Sequence, residues 1–361
     1  MAELHGQNVI RASLLGYVGD VSQIARVKPY RLVEGYENQL LAVDVSTGSG
    51  LEFTVLPDRG MDIAAARFNG KSLAWRSPVG DRHPAFYEPD GDNWLRTFGG
   101  GLLTTCGLTW MGASCIDEGR PLGLHGRAGH MAAANVHWDA QWEGDDYVLT
   151  VSGKLREALV FGENVQLIRT IRARMGENRL TIEDRVENLG FQRTPHMILY
   201  HINIGYPVLD ENARVLSPSV KVTPRDADAE EGIADWSRMQ PPTLGYRAQV
   251  FFHEMRSETD GSATVALVNE GTHLGGLRGV YVRYYPEELP CFTQWKMMDK
   301  GTYVVGLEPG NARVMGRDVE RAEGRLQFLE PGEGRRYRVE IGVLTDLTHL
   351  LPLQASVRTA E

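Results

Sequence analysis

No apolar run in this chain of 361 residues reaches the ~18 needed to span a membrane, and the N-terminal stretch MAELHGQNVIRASLLGYVGD lacks a basic segment leading into an apolar one. A membrane partner is therefore not expected, and a soluble cytoplasmic protein is the default reading. Cysteine is scarce: Cys106, Cys115 and Cys291 are odd in number and show no CxxC spacing, which argues against a disulfide framework and a structural zinc site. Basic charge is also in deficit, 38 Lys and Arg against 47 Asp and Glu for a net −9, with the cations scattered and not striped. Nucleic acid is excluded as an expected partner by that balance. Convincing amphipathic helices are missing too, since Ser13–Gly16 and 21–26 are too short to carry a fold.

Glycine, by contrast, is abundant, 40 residues that punctuate short stretches rich in Val, Ile, Leu, Thr and Tyr. The clearest hairpin spans 165–186. Val165, Leu167, Ile171 and Ala173 share one parity, Met175-Gly176-Glu177-Asn178 turns, and Leu180, Ile182 and Val186 follow on another. Arg169, Arg172, Glu183 and Arg185 between them are expected to face out or to pair across strands. Similar alternation predicts strands at 39–45, 51–56, 147–154, 263–268, 279–285, 302–307 and 336–344. The fold class expected is all-β, an antiparallel sandwich with few short helices, forming one domain over residues 1–361. Two stretches, 78–129 and 223–246, lose the period and read as long functional or surface-wrapping loops.

Three polar islands interrupt the β pattern: His125 in GLHGRAG, His201 in YHINIGYP and Glu308 in VGLEPGN. Taken alone, His201 reads equally as a satisfied core histidine. Tyr200 and Asn203 beside it, and the strand end at Gly205-Tyr206-Pro207, also suit an acid at the mouth of a pocket. Glu308 falls where a strand leaves the sheet, as a turn cap or as a carboxylate whose pKa desolvation raises into the range of a base. The spacing of His125 and His130 does not match HExxH, so zinc is not expected. Arg96 beside Trp94 and Lys296 beside Trp295 are candidate contacts for sugar hydroxyls or an anion, with the indoles stacking on a pyranose. Arg59 and Asp62, in the turn LPDRGMDI, are read as turn residues outside the site.

The order Arg96, Gly99-Gly100-Gly101, His125-Gly126, His201 and Glu308 resembles the aldose 1-epimerase, galactose mutarotase-like superfamily, and within it the branch labelled a domain of unknown function (4432-type). The resemblance covers most of the chain. It implies a β-supersandwich whose concave face binds a monosaccharide or sugar derivative. It implies His201 as general acid, Glu308 as general base, and His125 and Arg96 as substrate contacts, with no cofactor; Asn203 and Lys296 are read beside them as further substrate contacts, and no metal is expected. The aspartate with which the galactose-type enzymes hold sugar hydroxyls has no clear counterpart, and Asp226 in TPRDAD lies in the matching region. The expected activity is acid/base interconversion of sugar anomers. The alternatives are a non-catalytic carbohydrate-binding protein and a metal-assisted sugar isomerase or lyase that gathers His125, His201 and Glu308 on one cation. Exposed edge strands leave a homodimer open.

Overall fold

Alternating apolar residues put one face of most strands against a common core, and two antiparallel sheets close on it. The computed structural model describes residues 2–4 and 7–346; the end of the expected 1–361 domain, residues 347–361, lies outside them. The larger sheet has twelve strands. Its main path runs Ser219–Pro224, Gln249–Met255, Cys291–Asp299, Thr302–Gly310, Thr194–Ile204, Leu103–Leu108, Asp62–Phe68, Leu51–Leu56, Leu41–Ser46 and Arg26–Arg31, with two short strands, Lys71–Ser72 and Gln327–Leu329, attached at its side. The smaller sheet has eight strands, in the order Ala134–Glu143, Asp146–Ala158, Asn164–Arg174, Arg179–Asn188, Gly334–Leu344, Gly279–Tyr284, Ala263–Asn269 and Ala213–Leu216. Helices are short, and among the described residues no helix is long and apolar enough to cross a membrane.

The expected hairpin is present as Asn164–Arg174 paired with Arg179–Asn188, with Ile171 opposite Ile182 and Leu167 opposite Val186. Every other strand expected from alternation is present, within a few residues at the ends. The supposed loop 78–129 contains three strands, a short hairpin of Cys115–Asp117 with Arg120–Leu122 and a longer strand that is not legible from alternation. Leu103–Leu108 lies in the middle of the large sheet, and all six of its residues are buried. A strand covered on both faces has no polar side, so the period-two signal vanishes. The second irregular stretch, 223–246, begins by completing a strand and then folds over the large sheet as the short helix Ala227–Glu231 and a 3-10 turn, Ile233–Asp235.

Arg169 corrects another expectation. It pairs across strands with Asp184, as the pattern allows, but it faces inward and is fully buried. Its Nε and Nη2 donate to the Asp184 carboxylate, with Nη2 to Oδ2 at 2.6 Å. Its Nη1 crosses to the other sheet and donates to Thr105 Oγ1 (2.6 Å) and the Gly60 carbonyl (3.2 Å). From that second sheet, Tyr200 Oη donates to Asp184 Oδ2 at 2.7 Å. Asp62 joins the cluster, 3.7 Å from Arg169 and accepting from the Thr105 N–H, and burial pushes its pKa up to about 6 against the pull of Arg169. A fully hydrogen-bonded charge cluster in the core fixes how the two sheets stack, because any slide leaves a charge unpaired. Tyr200 is next to His201 in sequence and points to the opposite face of the same strand, so the cluster braces the back of that strand.

Replacing Asp184 by Asn keeps the shape but removes the two-pronged partner of Arg169 and leaves it only Asp62 at 3.7 Å. The expected loss of unfolding free energy in a denaturant titration is about 3–5 kcal/mol, and a loss below ~1 kcal/mol is the value for an exposed pair and would show that the cluster does not hold the sheets.

Candidate active site

The register of the strands decides which side chains meet. Leu199 lies opposite Gly310 and Ile202 opposite Leu307, which sets His201 directly across from Glu308. On the far sides, Thr104 pairs with His201 and Thr293 with Glu308. Thr104, His201, Glu308 and Thr293 therefore form one row across four neighbouring strands, on the face of the large sheet turned away from the inter-sheet core. Asn203 and Gly306 face each other in the next row, beside Trp295.

His201 Nε2 and Glu308 Oε1 stand 3.3 Å apart, with both residues buried. The alignment falls short of a hydrogen bond, and among the described residues Glu308 Oε1 has no hydrogen-bond partner. Also buried and unpartnered are His201 Nδ1, His125 Nδ1, Asn203 Oδ1, Thr293 Oγ1 and Trp94 Nε1. Buried polar atoms are normally satisfied. Gathered around His201, these atoms leave hydrogen-bonding capacity that a polar ligand could use.

His125 reaches this place from a tightly folded loop. Its N–H donates to the Gly112 carbonyl and its carbonyl accepts from Gly107 N–H, at 2.8 and 3.0 Å, in a left-handed conformation with φ 57°. Gly126, at φ 75°, lies so close to the Trp110 and Gly107 carbonyls that a Cβ would collide with both. The glycines of GLHGRAG thus press the loop onto the end of strand Leu103–Leu108 and turn the imidazole inward. The His125 and His201 rings meet edge to face, with centroids 5.6 Å apart.

Aromatic side chains close the site. Trp94 packs 4.8 Å from His125 and 4.5 Å from Phe98. Phe98 and Trp295 each lie 5.5 Å from the His201 ring, and Trp75 is 6.0 Å from Trp295. Behind His125, His130 stacks on Tyr87 and is 2.7 Å from Thr97 Oγ1. Arg59, read from the sequence as a turn residue, is buried and donates to the Arg82 and Thr97 carbonyls, which tethers the Trp94 segment.

Burial in this apolar setting sets the protonation states. Desolvation pushes Glu308 up to about 8, while the positive charge of Arg225 pulls the other way. Desolvation takes His201 down to about 3, with His125 adding to the effect, and it takes His125 down to about 4, where Arg225 also contributes. At neutral pH the pair is a carboxylic acid beside a neutral imidazole. The roles implied by the resemblance, a charged Glu308 base and a protonated His201 acid, place the same single proton on the other partner.

The structure brings together His125, His201, Asn203 and Glu308 but not Arg96 or Lys296. In the 3-10 helix Asn93–Thr97, with three residues per turn, Trp94 and Thr97 share the buried face. Arg96 is turned outward, its side chain 67% exposed, near Asn93 and Glu88. Lys296 follows Trp295 in a strand, so it points to the opposite face. There it is fully buried and donates to the Asp235 carbonyl at 2.9 Å, and burial brings its pKa down to about 8. Gln294 and Gln249 beside it donate to the Trp236 and Asp228 carbonyls. Lys296 therefore anchors the 225–236 segment from behind the sheet. Asp226 caps the helix Ala227–Glu231 through the Ala229 N–H and binds the Arg225 guanidinium. Among the described residues, no three His, Cys, Asp or Glu side chains group as a metal site.

The opposed pKa shifts predict opposed stability changes. A carboxyl raised by folding contributes stability below its unfolded value that is lost as pH rises through the folded one. Glu308→Gln should therefore gain on wild type between pH 4.5 and about 8, by roughly 3–5 kcal/mol in all. His201→Asn should gain on wild type in the other direction, as pH falls from 6.5 toward about 3. Parallel pH dependence of the three proteins in thermal or denaturant unfolding would contradict these protonation states.

Comparison with known proteins agrees with this fold. The family model described as a domain of unknown function, DUF4432, matches residues 38–343. A protein of Klebsiella pneumoniae subsp. pneumoniae MGH 78578, provisionally named an aldose 1-epimerase, superimposes with a TM-score of 0.86 at 26% identity, over 92% of this chain and 87% of that one. A galactose mutarotase-like protein of Clostridium acetobutylicum (TM-score 0.58, 13% identity, 89% and 99% covered) shares the fold, as does the galactose 1-epimerase of Lactobacillus acidophilus NCFM (TM-score 0.54, 12% identity, 89% and 99% covered). No curated protein sequence matches the chain significantly. With a model match over most of its length, the chain belongs to the DUF4432 family and has the galactose mutarotase-like fold.

Proposed function

We propose that the protein interconverts the anomers of a sugar by acid/base catalysis, with His201 and Glu308 as the proton-transfer pair. The observation that carries this reading is their cross-strand contact at 3.3 Å, with pKa values driven apart by burial, beside the rings of Phe98 and Trp295. One member of the pair takes the proton from the C1 hydroxyl and the other gives a proton to the ring oxygen. The C1–O5 bond breaks as the C1–O1 bond becomes a carbonyl. Rotation about C1–C2 presents the other face of the aldehyde, and the reverse transfers close the ring as the other anomer. The pair carries one proton before and after, so it returns to its starting state without a cofactor.

His125, Asn203 and Thr293 fit the remaining hydroxyls, because each presents a buried polar atom that the protein leaves unpartnered. The indoles of Trp94 and Trp295 supply apolar surface for a pyranose face. Gly306 keeps the floor open beside Glu308, since a Cβ there would run into the Glu308 carboxyl.

Anomer exchange followed by polarimetry or NMR, with the spontaneous rate subtracted, tests the reading across a panel of aldoses and uronates. Glu308→Gln and His201→Asn should each lower kcat by about 10²–10⁴-fold, and Gly306→Ala, by displacing the carboxyl, by about 10²-fold. Wild-type rates in these variants would refute the assignment, and sugar binding that survives with no acceleration in wild type would favour a carbohydrate-binding protein. The working form is the singly protonated pair, whichever member holds the proton. Its activity should be level between the protonation of His201 at about 3 and the ionisation of Glu308 at about 8, and fall as pH rises past the latter; a rise through that pH would contradict these roles.

A further inference from the structure

Arg225 is a cation whose strand position puts it on the face of the candidate site. Its N–H donates to the Val250 carbonyl at 2.9 Å, which continues the pairing of Thr223 with Phe252 and Pro224 with Phe251 by one more residue. Val250 in turn pairs with Trp295, and Trp295 with Gly306, which faces Asn203. Residues directly opposite in antiparallel strands share a face. Arg225, Val250, Trp295, Gly306 and Asn203 therefore form a second row on the face that carries His201 and Glu308.

Strand spacing puts the Arg225 backbone roughly 14 Å from Gly306, a gap that an extended arginine side chain and one pyranose ring together span. The charge of Arg225 is felt at both Glu308 and His125. The other candidate cations have other partners: Arg96 faces solvent, Lys296 donates to the Asp235 carbonyl behind the sheet, Arg127 lies 5.8 Å from the Trp110 ring, and Arg313 is stacked on the Phe252 ring at 5.0 Å.

The side chain is also held for use. Asp226 Oδ2 takes Arg225 Nε and Nη2, both at 2.7 Å, while Asp226 Oδ1 accepts the Ala229 N–H. The guanidinium is thus fixed along one edge. Its Nη1 hydrogens have no protein partner among the described residues, and a third of the side chain stays exposed. Lys296, Gln294 and Gln249 pin the segment that follows from the opposite side of the sheet.

We infer that the substrate is an anionic sugar, whose carboxylate or phosphate, on the end of the ring remote from C1, is bound by Arg225 while C1 lies over His201 and Glu308. This rests on the anomer-exchange reading for the placement of C1, but not for the charge of the ligand. A planar guanidinium with a free edge matches a carboxylate or phosphate better than a hydroxyl.

Anomer exchange and equilibrium binding of glucose, glucuronate and glucose 6-phosphate, measured by NMR for wild type and Arg225→Gln, test it. The expected wild-type kcat/KM for at least one of the charged sugars is tenfold or more above that for glucose. That ratio should collapse toward one in Arg225→Gln through a rise in KM, with the thermal midpoint of the variant confirming that it is folded. Which charged sugar leads distinguishes a carboxylate from a phosphate ligand. No preference for charge in wild type, or an equal loss for all three sugars in Arg225→Gln, would overturn the inference while leaving sugar isomerisation standing. Arg225-dependent binding of a charged sugar with no acceleration of exchange would uphold the inference and refute the isomerase reading.

Discussion

The pairing register between strands Thr194–Ile204 and Thr302–Gly310 is the constraint on which the site depends. Side chains alternate along a strand, so a slip of one residue would swing Glu308 into the inter-sheet core and separate it from His201. The apolar residues that flank the pair prevent the slip. Ile198, Ile202 and Ile204 on one strand, and Val305 and Leu307 on the other, are buried in the main core. Tyr200, hydrogen-bonded to Asp184 within the Arg169 cluster, pins the same strand from behind. Packing energy on one face of the sheet thereby fixes a 3.3 Å polar contact on the other.

Placing that contact in an apolar setting gives it chemical leverage. A carboxyl and an imidazole in water would both be charged only across a narrow pH range and would bind water in place of substrate. Here desolvation disfavours both charges, so one proton is left for two groups of matched reach. The cost is a set of buried polar atoms without partners, a cost of roughly 1–3 kcal/mol each, and it falls on the fold, which its large aliphatic core and Arg169 cluster stabilise elsewhere. A hydroxyl-rich ligand would relieve that cost by supplying the missing partners.

Much of the fold was legible from alternation and glycine spacing, because most strands have one wet and one dry face. Strand Leu103–Leu108 was not, since both of its faces are buried, and Arg26–Arg31, Asp62–Phe68, Ala134–Glu143, Gln249–Met255 and Cys291–Asp299 were not among the strands expected from alternation. The three polar islands were visible one by one, yet their adjacency depends on register, which no local pattern encodes. Lys296 was misplaced despite a usable signal: next to Trp295 in a strand, the two cannot share a face. Arg96 was misplaced because three residues per turn, and not the spacing of a strand, govern its segment. Arg225 was missed because it lies just past a strand end, where alternation stops carrying information and only the continued pairing to Val250 shows its direction.

Anomer exchange by this pair requires that a sugar at the site present its anomeric centre to His201 and Glu308 together. A crystal structure with a bound sugar tests it most directly. The prediction is that the C1 hydroxyl and the ring oxygen lie within about 2.6–3.2 Å of the Glu308 carboxyl and His201 Nε2, one to each. A sugar seated in the pocket with C1 turned away from this pair would contradict it.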